Sequence, residues 1–177
     1  MSLKIANIVG ELPKIKNLVV ISRNSDPVES MLEIVKLVSP RYRRICFVSV
    51  DKPFTVLTER FRKEEIDYSK FSFIDCISSL TLQQVVSKQC KYLDSPRALQ
   101  NLALLLGEEI HKSDCIIFDN VSSLLLYNDT VPVLQFLNNL MHQINFSKLR
   151  GVFLLSHDTG KEVMEDLSLF ADKVEVI

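Results

Sequence analysis

Short, continuous apolar runs alternate with longer amphipathic segments along the whole chain. The runs LVVIS (Leu18 to Ser22), ICFVSV (Ile45 to Val50), FSFID (Phe71 to Asp75), CIIFD (Cys115 to Asp119), VFLLS (Val152 to Ser156) and Val174 to Ile177 predict six β-strands. Most lack polar alternation, so both faces of the sheet are expected to be covered, as in parallel sheets joined by crossover helices. The segments between the runs supply those helices. Asp26-Pro27 reads as a capping carboxylate before a proline at the first helical position, and Val28, Met31, Leu32, Val35 and Val38 follow at helical spacing. Ser95-Pro96 repeats the device ahead of a stripe of Leu99, Leu102, Leu105, Leu106 and Ile110. Further helices are expected at Thr55 to Glu65, Pro132 to Asn145 and Lys161 to Phe170.

This alternation predicts an α/β fold, three layers (α/β/α) around a mainly parallel sheet with right-handed crossovers. With no linker, repeat or low-complexity stretch, residues 1–177 read as a single domain. One connection is long. CISSLTLQQVVSKQCKYLD, between Asp75 and Ser95, holds either a short hairpin or an irregular excursion. It serves as a loop packed on an edge strand or as a partner-binding insertion.

Composition narrows the function classes. The 177 residues are 47% hydrophobic, enough for a substantial core, and the formal charge is -1 with no long block of like charge. Nucleic acid is therefore not expected as a partner. RYRR, Arg41 to Arg44, is too short to change that and reads as a solvated turn. Cys46, Cys76, Cys90 and Cys115 show no CxxC spacing and are expected to be reduced and buried, without disulfide or metal roles. The N-terminal MSLKIANIVGELPKIKN has no apolar core before a cleavage site, and no apolar run reaches membrane-spanning length. A cytoplasmic protein without a membrane partner is the expectation. No two histidines have metal-ligand spacing, and no nucleophile elbow is present.

Ligands of open parallel sheets sit beyond the carboxyl ends of the strands. Those ends carry Ser22-Arg23-Asn24, Asp51-Lys52, Asp75, Asp119-Asn120 and Ser156-His157-Asp158. Acids after three strands can position a metal or water around a phosphate, or can simply end strands in polar turns. The first strand-to-helix loop decides more. A phosphate-binding loop needs glycines to let backbone N–H groups wrap the anion, a lysine, and a Ser or Thr for Mg²⁺. Ser22-Arg23-Asn24-Ser25-Asp26-Pro27 has neither glycine nor lysine. Pro27 removes a donor, and Asp26 sets a negative charge at the helix end where the anion would sit. Arg23 can stand in as a cation, but no glycine beside it lets the backbone close, and a surface role is the plainer reading.

The order of pieces resembles the KaiC/RecA-like ATPases. It is carried by the strand and loop Leu18 to Asp26, ICFVSVDKPF, FSFIDCISS, YLDSPRALQNLALLLGEEI and CIIFDNVSSLLLYND, over about Asn17 to Ile177. The resemblance is more specifically to degenerate, mostly archaeal KaiC-like proteins that lack the P-loop lysine. It implies a P-loop NTPase type of fold with the six runs in spatial order 3-2-4-5-1-6. It also implies that Asp119 matches the Walker B aspartate that holds Mg²⁺ through water. Asp51 lies where active members place a catalytic glutamate, and Ser156-His157 where a sensor-like polar residue falls. Ser22 to Asp26 matches the P-loop in position only. Ser22, Arg23, Asp51, Asp119 and His157 thus form a vestigial nucleotide site with no catalytic residue, no metal and no cofactor expected.

A second candidate surface lies on TVPVLQFLNNLMHQINF. Val133, Leu134, Leu137, Leu140, Met141 and Ile144 are expected to be buried, while Gln135, Asn138, Asn139, His142 and Asn145 line the opposite side. No charge occurs between Asp129 and Lys148, and interfaces are depleted of charge, so this face is a candidate contact for a protein partner or a second copy. The expected function is a catalytically inactive, regulatory or signalling domain acting through protein interaction or self-association. The alternative is a nucleotide or small-ligand sensor with a rearranged site.

Overall fold

The computed structural model describes residues 3–23, 27–81 and 84–177. Seven strands form one all-parallel sheet: β1 (Asn17–Ser22), β2 (Ile45–Ser49), β3 (Phe71–Asp75), β4 (Cys90–Tyr92), β5 (Cys115–Asp119), β6 (Arg150–Ser156) and β7 (Lys173–Val176), in the order β4-β3-β2-β5-β6-β1-β7. Apart from β4, this is the order the family resemblance implies. The helices are α1 (Leu3–Gly10), α2 (Pro27–Val38), α3 (Phe54–Lys63), α4 (Ser78–Thr81), α5 (Leu99–Ile110), α6 (Val121–Leu125), α7 (Thr130–Asn145) and α8 (Lys161–Phe170).

Period-two alternation splits each strand between two cores. In β2, Ile45 and Phe47 face one layer while Cys46 and Val48 face the other. The first layer, under α1 to α3, holds an aromatic cluster in which Phe61 meets Phe47 edge-on at 5.7 Å between ring centroids and Phe71 stacks on Phe73 at 5.8 Å. Such pairs add about 0.5–1.5 kcal/mol each beyond their area. The second layer is closed by Leu102 and Leu106 of α5, Leu137 and Leu140 of α7, and Val163 and Leu167 of α8. All four cysteines are buried and free, and burial pushes their thiols above the ordinary range. Among the described residues no helix is long and apolar enough to cross a membrane.

Several details differ from the sequence expectation. The long connection after Asp75 contains neither a hairpin nor purely irregular chain: it forms α4 and the parallel edge strand β4, fastened to α5 by Lys91 paired with Glu109 at 3.2 Å. Ser95-Pro96 does not cap α5. The helix begins at Leu99, and Ser95 to Ala98 instead close a turn, with Ala98 N–H donating to the Ser95 carbonyl at 2.9 Å. Proline in the second position of such a turn needs no N–H and has its φ preset. On α7, Leu134 is half-buried and Phe136 takes the core place beside Phe118. α2 starts at Pro27 as expected, but Asn24, Ser25 and Asp26, and with them the Asp26 cap, lie outside the described residues.

One close approach fixes how α7 meets the sheet. Asn17, fully buried on β1, donates to the Met141 carbonyl (3.1 Å) and to Asn145 Oδ1 (2.8 Å) at the end of α7. Gly151 on β6 lies beneath, where an added Cβ would stand 2.6 Å from Phe153, 2.9 Å from Ile144 and 3.1 Å from Asn17 Oδ1. The side chain that would lift α7 is absent. Replacing Gly151→Ala should therefore destabilise the protein by about 1–3 kcal/mol through overpacking. Urea denaturation with an unchanged m-value is the check.

Candidate functional site at the strand ends

Parallel register brings polar groups from adjacent strands into one row. Ser49 on β2 pairs with Asp75 on β3 and with Asp119 on β5, so the residues just past β2 emerge between two carboxylates. Asp75 is consumed by structure. Its buried carboxylate accepts from Phe54 N–H (2.7 Å) at the start of α3, from Ser78 Oγ (2.6 Å), and from the Ile77 (2.9 Å) and Ser78 (2.8 Å) N–H groups entering α4. Four bonds leave it no role with a ligand.

Asp51 and Asp119 come together as the sequence expects, but a lysine joins them. Lys52 Nζ donates to Asp51 Oδ1 at 2.7 Å and to Asp119 Oδ2 at 3.0 Å, and its side chain is only 15% exposed. Asp51 is further held through Oδ2 by Ser123 Oγ at 3.0 Å. Asn120 caps α6, accepting from Ser123 N–H at 2.7 Å. Ser49 Oγ donates to the Lys52 carbonyl at 2.7 Å and tightens the turn that carries the ammonium. Burial pushes the Asp119 carboxyl up to about 6, with Lys52 pulling the other way and Asp51 adding to the rise. Burial lowers the affinity of Lys52 for its proton, but Asp119 and Asp51 more than offset this and hold it above the ordinary value. At neutral pH Asp119 and Lys52 are therefore both charged.

The remaining candidates sit around this cluster. Ser22 Oγ bonds Ser30 Oγ on α2 at 2.8 Å, and Arg23, exposed, donates its backbone N–H to the Ile177 carbonyl at 2.8 Å. His157 is also exposed. Its backbone N–H donates to the Ser22 carbonyl at 3.0 Å, and no contact among the described residues joins its imidazole to Asp51 or Asp119. Ser22, Ser30, Asp119, Asn120 and Ser156 enclose a crevice with a cavity volume of about 10 Å³, scarcely room for one water. On α7, Gln135, Asn138, Asn139 and His142 are exposed as expected, and all but Asn138 line a groove against α5.

Mg²⁺ does not fit the described residues as they stand: Lys52 Nζ takes Asp51 Oδ1 and Asp119 Oδ2, and Ser123 Oγ takes Asp51 Oδ2. Among the described residues no group of three or more His, Cys, Asp or Glu is placed to hold a metal ion. The sequence expectation places Lys52 and Asn120 at strand ends without giving either a role, and it misses Ser123. The available signal is the Asp-Lys pair leaving β2 together with the strand order that sets β2 beside β5.

The all-parallel order and these strand-end positions define a RecA-like α/β fold. No family model matches the chain, and no curated protein matches it in sequence. Solved structures do. The uncharacterized protein PH0321 from Pyrococcus horikoshii, solved in complex with an unknown peptide, is similar over 96% of this chain and 83% of its own, with a TM-score of 0.72 and 11% identity. The flagellar accessory protein FlaH from Methanocaldococcus jannaschii is similar over 90% of this chain and 69% of its own, with a TM-score of 0.57 and 11% identity. At such identity the likeness is one of fold.

Two stability measurements test the cluster. Unfolded Asp119 titrates near 3.8 and folded Asp119 near 6, so between these values the folded state binds a proton that the unfolded state does not. Its contribution to stability is full below the lower value and is lost as pH rises through the upper one. The unfolding free energy of the wild type minus that of Asp119→Asn should fall by about 2 kcal/mol from pH 4 to pH 7 in urea titrations. Lys52→Met, which strips the counter-charge from both carboxylates, should cost about 3 kcal/mol at pH 7.5. Adding Asp119→Asn to Lys52→Met should restore part of that loss.

Proposed function

We propose that this chain is a catalytically inactive RecA-like domain of the KaiC type that acts by binding another protein, in a regulatory or signalling role. The observation that carries this reading is the Lys52 ammonium between Asp51 and Asp119. Phosphoryl transfer is catalysed by positioning and by electrostatic stabilisation of the phosphates, and metal ions do much of that work. Here a tethered cation satisfies both acids that would serve the metal and the attacking water. The first loop, which carries neither glycine nor lysine, offers no cradle for the phosphates. What remains is a rigid sheet with helices on both faces and an uncharged α7 surface. PH0321, of like fold, was solved with a peptide bound, and FlaH is described as an accessory protein. Both descriptions fit a domain that works by contact.

Purified protein should release no phosphate from ATP, and its melting temperature should be the same in millimolar Mg-ATP as in Mg²⁺ alone. Ligand linkage would otherwise raise it. A Mg²⁺-dependent rise of more than about 2 °C overturns the proposal. If Asp119→Ala abolishes that rise while unfolding stays cooperative, the sensor reading replaces it.

A further inference from the structure

α5 and α7 flank an open groove of about 940 Å³ on the face of the domain away from α1 to α3. Its floor is apolar, formed by Leu99, Leu106, Phe136 and Leu140. One wall is a row of carboxamides on α7, Gln135, Asn139 and Gln143, all exposed and all lining the groove. Arg97, at one end, is its only permanently charged residue, and Asp129 lies outside in the adjoining depression.

We propose that this groove binds an extended segment of a partner protein that carries no basic residue, its main chain paired to the α7 carboxamides, an apolar side chain on the floor and a single carboxylate at the Arg97 end. The inference rests on the protein-binding reading above and names the partner's chemistry.

Spacing carries the argument. Residues four apart on a helix rise about 6 Å, and every second residue of an extended chain advances about 6.6 Å. Gln135, Asn139 and Gln143 thus step along α7 nearly in phase with alternate residues of a strand-like peptide. The drift over the two steps is about 1.2 Å, within the reach of glutamine side chains. Each carboxamide offers a donor and an acceptor, the complement of one peptide unit. A helix would suit this wall poorly, because its backbone groups are already bonded internally. An extended segment brings free N–H and C=O groups at every residue, and main-chain pairing with alternate side chains in pockets is a general mode of peptide capture. The groove's neutrality excludes a highly charged ligand, and Arg97 alone fixes polarity by favouring an acidic or carboxyl-terminal end. The stretch of α7 from Pro132 to Gln143 is about 16 Å long, the span of roughly five extended residues.

The test uses a phage-displayed library of short random peptides selected on the full chain, followed by titration of synthetic copies. The expected winners carry an apolar anchor and an acidic or free carboxyl end, without basic residues. Their affinity should fall at least about tenfold in Gln135→Ala/Asn139→Ala, which removes two main-chain pairings. Ala103→Arg, filling the groove from α5, should do the same. Asn138→Ala, exposed on α7 but outside the groove, should change nothing. N-methylation of alternate backbone amides should abolish binding in one phase and spare it in the other. Selection without enrichment, or peptides that bind all variants equally, overturns the inference. So does a native mass showing a dimer that Ala103→Arg dissociates, since the groove then belongs to a second copy. A failure here in a protein that ignores Mg-ATP overturns the groove alone, whereas nucleotide binding beside intact groove-dependent peptide capture overturns only the inactive reading.

Discussion

Every strand of this sheet runs in the same direction, so all seven carboxyl ends reach one edge, and the polar groups gathered there must find partners within a few ångströms. That constraint organises the rest of the molecule. Asp75 meets it by capping α3 and α4, Asn120 by capping α6, and Ser22 by bonding α2 through Ser30. Asp51 and Asp119 meet it through Lys52. The first three tie a strand end to the start of a helix, and the lysine ties the end of β2 to that of β5.

The lysine is the decisive choice among these. The carboxylates of Asp51, just past β2, and Asp119, on β5, repel each other unless a cation lies between them, and the burial of Asp119 limits how far solvent screens that repulsion. A divalent ion would solve the problem and leave coordination positions open for chemistry. An ammonium on a four-carbon stem solves it by hydrogen bonding to both acids and brings no coordination position of its own. The difference is one of chemistry: a divalent ion can polarise a phosphate, whereas an ammonium held this way neutralises the two acids.

The strand order and the meeting of Asp51 with Asp119 are legible in the sequence, because five of the six longer strands are apolar runs and the family resemblance supplies their arrangement. β4 is not, since Cys-Lys-Tyr is too short to show a period and its burial comes from pairing with β3. Ser95-Pro96 misleads for a related reason: serine and proline open turns as readily as helices, and the choice is made by where Leu99 and Leu102 must point. Lys52 escapes a sequence reading because a lysine after a strand ordinarily reaches into solvent. Only the register that sets Ser49 beside Asp119 turns its stem inward. On α7, the neutral face is visible in the sequence, but the groove is not, because it needs α5 alongside.

The tethered cation also shapes which neighbouring sequences are open to this fold. A step that removes Lys52 first leaves two carboxylates facing each other without a counter-charge, and a step that removes Asp119 first discards the strand-end acid that a metal would need. The first change frees both carboxylates for another cation but costs stability until one arrives, and the second gives up that possibility. In evolutionary terms Lys52 acts as a ratchet, because each single change at this edge leaves a charge without the partner it now has.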